Sequence, residues 1–535
     1  MSISLPQRRL VSQDDASFTA RADVPRSVFS GSWTRKTAFD AGYLVPFLVD
    51  EILPGDHMKY DVTAYIRMQT PLFPIFDSQR VDTFFFFIPN RILWADWTRC
   101  MGEQSDPSQS IAVSIPTLTL GGAARPDGSL YDHLGLPSAA QAPAAIVVQR
   151  LPMIAYNRIW SEWFRDQNLQ AAAPETGAAA DYVLRRRAKA HDYFTSALPW
   201  PQKFTPPSVA IGGIAPIMGL GIQAPRTATS GAVSVWDTAG GGISASYDPH
   251  RATDVTNQAL TYRMDSAGGT GIPLIYADLS AASGVAVNTL RQAFMVQSLL
   301  ERDARGGTRY VELIKSHFGV QNPDYRLQRP EYIGGGQSAL NITPVAQTAP
   351  ATGTTVGALG AAGTSVGSHN ASYAATEHGW IIGLINVRTE LSYYQGLHRM
   401  WTRSTRYDYY WPSLALLGEQ AILRREIYCT GTVNDDNQVF GYQERWHEYR
   451  TRYSDITGAM RPDVGATLDE WHLAQEFGSF PTLGPTFIEE RPPVDRVLAA
   501  GSAADGQQYL ADILIKRRAT RPIPTFGTPA TLGRF

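Results

Sequence analysis

The segment VDTFFFFIPN, residues 81–90, sets four phenylalanines in a row, Phe84 to Phe87, between a charged residue and a proline. Successive side chains of a strand point to opposite faces, so an unbroken apolar run demands cover on both. Aromatic residues favour such a pleated surface. The segment is therefore predicted to be a central strand of a two-layer all-β core. Covering four phenylalanine side chains contributes on the order of 6–12 kcal/mol before entropy costs. Left exposed, the same run would drive aggregation. Just upstream, GDHMKYDVTAYIRMQTP alternates cleanly. Met58, Tyr60, Val62, Ala64, Ile66 and Met68 share one face, and Lys59, Asp61, Thr63 and Arg67 share the other. Period two over this length predicts a half-buried strand.

The chain has 535 residues, enough for several domains or for one large domain with long insertions. Apolar residues make up 44% and charged residues 18%, which suits extensive burial or contact and not disorder. Lys and Arg total 47 against 49 Asp and Glu, for a net charge of -2. That balance does not fit a protein that coats nucleic acid by itself. Two cysteines, Cys100 and Cys429, cannot form a disulfide framework and are expected as buried thiols in a reducing compartment. The opening MSISLPQRRLVSQDD has no apolar run behind its arginines, so no signal peptide is expected.

Along the chain, PMIAYNRIWSEWFRDQNLQ carries Tyr156, Ile159, Trp160, Trp163 and Phe164 at helical spacing, expected to pack into a core. The basic run Arg185 to Lys189 reads as a solvated helix face. VNTLRQAFMVQSLLERDARGG is the strongest helix, closed by Gly306-Gly307, and TRYVELIKSHFGV predicts a second, shorter one. Residues 334–378 are low in complexity and almost uncharged, which predicts an exposed loop. GWIIGLINVRTE reads as another buried strand.

Catalytic and metal chemistry find little support. Gly363-Thr-Ser-Val-Gly367 fits a nucleophile elbow only in spelling, because no buried strand precedes Ser365 and no helix follows it. The ten histidines show no HExxH and the two cysteines no CxxC. Adjacent acids such as Asp469-Glu470 and Glu489-Glu490 read as surface solvation, not as a glycosidase pair. No catalytic, cofactor or metal residues are assigned. The C-terminal LIKRRATRPIPTFGTPATLGRF gathers Lys516, Arg517, Arg518 and Arg521. This stretch reads either as a tail packed on a neighbouring subunit or as a basic strap on nucleic-acid phosphates. Arg8 and Arg9 carry the same two readings.

Several long stretches resemble the major capsid protein of the Microviridae, the small single-stranded DNA phages, in their gokushovirus-like branch. They are VPRSVFSGSWTRKTAFDAGYLVPFLVDEILPGD, EWFRDQNLQ, HDYFTSALPWPQKF, LRQAF, LLERDARGGTRYVELIKSHFGV and RLQRPEYIGG, in matching order from about residue 25 onward. The resemblance implies an eight-stranded antiparallel viral jelly roll with large loop insertions and inserted helices. It implies no enzymatic role, but sixty copies in a T=1 icosahedral virion shell around a circular single-stranded DNA genome. On this reading residues 1–55 form an extended N-terminal arm and 56–204 the first part of the jelly roll with inserted helices. Residues 205–284 are a variable surface insertion, the candidate threefold protrusion and host-attachment element. Residues 285–333 are a helical insertion, 334–378 an exposed loop, and 379–535 the remaining strands, loops and tail. Partners implied are further copies of the chain, packaged single-stranded DNA, a minor pilot protein and a host surface receptor, with assembly in the host cytoplasm. Sixty chains would carry only about -120, which cannot balance thousands of phosphates, so a small basic DNA-binding protein or free cations are expected with the genome. Two other readings of the residues stay open: a carbohydrate-binding or carbohydrate-active β-sandwich, and a host-attachment spike.

Overall fold

The computed structural model of the chain describes residues 25–209, 217–218, 220–221, 261–262, 276–277, 286–348, 356–499 and 507–526. The chain divides into a larger unit, Met1–Pro201 with Asp303–Phe535, and a smaller one, Gln202–Arg302.

One eight-stranded sheet organises the larger unit: β1 (Ser27–Phe39), β2 (Val45–Ile52), β3 (His57–Met68), β4 (Gln79–Pro89), β5 (Glu331–Ala346), β6 (Leu359–Ala374), β7 (Gly379–Thr389) and β8 (Tyr509–Arg521). Their order is β1-β8-β3-β6-β5-β4-β7-β2, antiparallel throughout. Chain neighbours are mostly not sheet neighbours, as in a double Greek key, the connectivity of a jelly roll. The β5-β6 hairpin joins two four-stranded halves. Near its tip, Asn341 to Ala346 pair with Thr364 to Leu359. Further back the main ladders change partners, β5 pairing with β4 and β6 with β3, while the two arms still meet at Gly334 and Ala371.

The two halves enclose one core. Met58, Tyr60, Val62 and Ile66 of β3 and Ile513 and Ile515 of β8 meet Phe85 and Phe87 of β4 and Ile381 and Ile385 of β7. The Phe47 ring lies edge-on to Phe85 at 5.6 Å, and Phe87 stacks on Tyr373 at 4.3 Å. Phe84 and Phe86 point the other way, into a second apolar layer. That layer is built on helix α1 (Leu151–Ile159) and the turn Trp160–Phe164 that continues it. Phe164 meets Phe84 at 5.0 Å and Phe86 at 5.8 Å. β4 is thus sandwiched between two cores, which is why its four phenylalanines do not alternate with polar residues. β7 shares this position, and all eleven of its residues are buried.

Four expectations are corrected. The arm expected over residues 1–55 includes two core strands, β1 and β2; both run polar at one end, which hid their pairing. Residues 334–378 are not a loop but most of the β5-β6 hairpin. Their glycines answer a need for close approach. A Cβ on Gly334 would sit 2.5 Å from the carbonyl oxygen of Asn370, and one on Gly336 2.3 Å from the His369 ring. Gly334→Val is therefore expected to lower stability by about 3 kcal/mol, since backbone and not a flexible tip blocks the new side chain. Gly360→Ala, whose Cβ would find nothing nearer than 3.9 Å, is the matched control. Thermal melting of the two variants checks this; equal melting would refute the close-approach reading.

The third correction concerns Arg185 to Lys189. The run is an extended strip, with Tyr43 bridged to Arg186 and Ala188 to Glu489. Arg186 stacks over Tyr43 at 3.9 Å and Arg187 over Phe84 at 5.1 Å. Arginines pack here as flat apolar plates with charged rims. Glu490, expected at the surface, is likewise buried against Arg388 at 3.3 Å. Fourth, the cysteines are free but not both buried: Cys100 is half-buried and Cys429 exposed.

The expected helices are present as α2 (Val287–Arg305) and α3 (Tyr310–Phe318). In the smaller unit, Ile217–Met218 pairs with Tyr276–Ala277 and Leu220–Gly221 with Thr261–Tyr262. Val287, Leu290 and Phe294 of α2 are exposed. The other residues of the candidate protrusion, 205–284, lie for the most part outside the described residues.

Candidate nucleic-acid interface

The four C-terminal basic residues lie on β8, a strand hydrogen-bonded on both sides, and not on a free tail. Alternation divides them. Arg517 and Arg521 turn toward the inner side at the end of the sheet, where carboxylates hold them. Arg517 reaches Asp50 at 2.8 Å and lies over the Trp33 ring at 5.3 Å. Arg521 reaches Asp56 at 3.4 Å and Asp50 at 3.9 Å. The Tyr60 hydroxyl donates to Asp50 at 2.7 Å, and burial followed by the Asp50 charge pushes that hydroxyl far above its usual range. Burial works against the Arg517 charge, but the hydrogen bond and charge of Asp50 outweigh it and raise its pKa. These two arginines close the end of the core.

Lys516 and Arg518 face outward and are exposed. Register places Ser32 and Asp61 beside Lys516, and Ser30 and Lys59 beside Arg518. Among the described residues neither side chain has a carboxylate within ion-pair distance. The same outer face carries Lys36, Lys59 and Arg67, against the carboxylates Asp61 and Asp512. Lys59 and Asp61 approach to only 3.8 Å, and both are exposed. Between the charges lie Ser30, Ser32, Ser368, Asn370 and Ser372, with the exposed ring of Tyr65. Five cations against two anions, short hydroxyl and amide donors, and one free aromatic face can grip phosphates without reading sequence and stack one base.

Of the six residues singled out from sequence, the fold brings Lys516 and Arg518 to this face, takes Arg517 and Arg521 away from it, and leaves Arg8 and Arg9 outside the described residues. Lys36, Lys59, Arg67 and Tyr65 were missed as site residues. The outward half of the β3 alternation held the signal for three of them. Their adjacency to β8 depends on pairing across more than four hundred residues.

A second surface has a different character. Between β7 and residue 418, short turns at Arg399–Thr402, Arg406–Asp408 and Pro412–Leu414 present a dense aromatic group to solvent. Trp401 is 72% exposed and Leu416 99%, with Tyr407, Tyr409, Tyr410 and Trp411 about half exposed. The turns are held from beneath. Asp408 accepts hydrogen bonds from the Ser404 and Thr405 amides, which pull its carboxyl below the usual range. Trp411 donates to the Arg406 carbonyl at 2.9 Å. Arg399 pairs with Glu426 and Arg403 with Glu448, at 3.2 and 3.3 Å. A solvated apolar group of this size, pre-ordered by ion pairs, has the makings of a contact surface.

Ser365 is buried within β6, away from any strand-to-helix turn. Among the described residues no group of three or more His, Cys, Asp or Glu is placed so as to hold a metal ion, and no helix is long and apolar enough to cross a membrane.

Comparison with known proteins agrees with the fold. The family model for the capsid protein (F protein) matches residues 17–531. The chain is 42% identical over 526 residues to capsid protein VP1 of Bdellovibrio phage phiMH2K, covering 95% of this chain and 96% of that protein. It is 37% identical over 579 residues to capsid protein VP1 of Chlamydia phage 1, covering 95% and 96%. Against capsid protein VP1 of Spiroplasma virus 4 the identity is 34% over 532 residues, covering 95% of each.

Proposed function

Because this chain belongs to the capsid (F) protein family, with a structural role in a phage shell, we propose that sixty copies close an icosahedral shell over a circular single-stranded DNA genome, with the Lys516–Arg518 face turned inward. The observation that carries the DNA contact is the basic face of the β1-β8-β3-β6 half, exposed among the described residues. In the other half β4 and β7 are buried under α1 and its neighbours, whereas the basic face offers charged and short polar side chains directly to a polyanion. The exposed aromatic turns at 399–414 supply the lateral contact between copies, since aromatics and arginine are enriched where stable interfaces form.

Residues 205–284 serve as the surface insertion, gathered at the threefold axes and available to a host receptor. A small basic protein or free cations share the work of charge neutralisation, because the net charge of -2 per chain leaves the genome uncompensated. A minor pilot protein completes the particle, which assembles in the host cytoplasm. Family membership favours this reading over a carbohydrate-binding sandwich or an isolated spike.

The test of the inner face is salt dependence. Removing both phosphate contacts with Lys516→Gln and Arg518→Gln is expected to flatten the slope of log K against log salt for a thymidine oligonucleotide by about 1.4. Arg517→Gln, which loosens the Asp50 cluster, is expected to lower the melting temperature and leave that slope in place. An unchanged slope in the double variant would remove this face from the genome contact.

A further inference from the structure

On the side of β7 that carries Trp380, Ile382 and Leu384, a cleft of about 1090 Å³ opens between the Trp163–Asn168 segment, the Arg187–Leu198 segment, the start of α3 and Arg388. We propose that this cleft is a binding site for a tetrahedral oxyanion, a sulfate or phosphate group either free or as the ester of a larger molecule.

The charge on its walls is one-sided. Seven cations line it against two carboxylates, Asp166 and Glu312. Four of the seven are held by carboxylates: Arg187 by Asp82 at 2.6 Å, Arg388 by Glu490 at 3.3 Å, Arg309 by Glu312 at 2.9 Å, and Arg305 by Glu419. The other three, Arg165, Lys189 and Lys315, have no carboxylate within ion-pair distance among the described residues. Arg165 uses two of its donors on the carbonyls of Ser161 and Gln170, both at 3.0 Å. Lys315 is exposed at the rim.

Lys189 is the decisive residue. Only 6% of it is exposed. Its ammonium carries three donors, yet its hydrogen bond is to a neutral acceptor, Gln475 Oε1, at 3.0 Å. The Phe487 ring, 4.5 Å away, gives a weak second contact. Asp192 and Glu490 attract the charge and Arg491 repels it, but burial dominates and pulls the pKa down to about 8. A buried cation with unspent donors is costly unless something completes it. An oxyanion in the cleft would accept those donors and gain the charge of Arg165 and Lys315.

The site differs from the Lys516 face in position and in form. It is a half-open cleft on the other half of the sandwich, and its test does not depend on where the genome lies. Sulfate is the probe, because its charge is constant across the relevant pH range. Calorimetric titration of the full chain at ionic strength matched with chloride is expected to show saturable binding at pH 7. That binding should weaken progressively above about pH 8 as Lys189 loses its proton. Lys189→Met is expected to weaken it about tenfold or more, and Lys315→Gln, a rim change that leaves folding alone, about threefold. Displacement of sulfate by a thymidine oligonucleotide would assign the natural group to a nucleic-acid ester; displacement by inorganic phosphate alone would assign it to a free anion. Non-saturable binding in the wild type, or sulfate affinity that ignores both pH and Lys315→Gln, would overturn the proposal.

Discussion

Phe85→Ala is expected to lower the stability of the subunit by about 3–5 kcal/mol, enough to deplete folded chain and abolish shell yield at growth temperature. The ring is fully buried, edge-on to Phe47, at the point where the two four-stranded halves meet. Its removal leaves a void beside Phe47, and β4, which carries the ring, and its neighbour β7 are paired on both sides and resist collapse inward. Phe84→Ala is the instructive comparison. Phe84 is half-buried and faces the helical layer, where Phe164 and the Arg187 guanidinium can shift to fill space. It should cost clearly less. Thermal melting of both variants, with soluble yield, measures the difference. If Phe85→Ala melts with the wild type, the enclosed core is not what holds the subunit together.

Trp401→Asp is expected to do the reverse: a normally folded subunit that forms no shells. Trp401 contributes nothing visible to the core, being 72% exposed, and its turn is held by Arg399 and Arg403 from below. Tryptophans that anchor protein interfaces are worth about 2–4 kcal/mol when removed. Every copy in a closed shell repeats the loss, so a modest defect per contact becomes a failure to assemble. Sedimentation should find more than a tenfold drop in shell-sized material, with far-UV circular dichroism and melting unchanged. Normal shells from this variant would show that the aromatic turns are not a contact between copies.

Part of this architecture was legible before any coordinates. The alternation of β3 gave its inner face residue by residue, and Met58 to Met68 are buried at every second position. The four phenylalanines showed a doubly covered strand because no other local state hides rings on both sides. Local patterns could not show why the covers differ, one a sheet and the other a helix. The hairpin β5-β6 was misread because its glycines serve contacts with residues on the opposite arm, and such a need looks like low complexity in one dimension. Lys516 to Arg521 looked like a single basic run. Only the strand's period, together with Asp50 and Asp56 from the other end of the chain, divides it into two structural arginines and two exposed cations. Arg185 to Lys189 misled for the same reason, since charge was taken as solvation where stacking on Tyr43 and Phe84 governs.

The central claim is that the chain acts by burying aromatic surface, within a jelly roll and against its own copies. A cryo-electron microscopy map of particles from an expressing culture tests it most directly. The expected map shows closed icosahedral shells in which Trp401 and Leu416 are covered by a neighbouring copy and the Lys516 face lines the interior. A discrete solitary subunit, or shells in which those aromatic turns stand free in solvent, would contradict it.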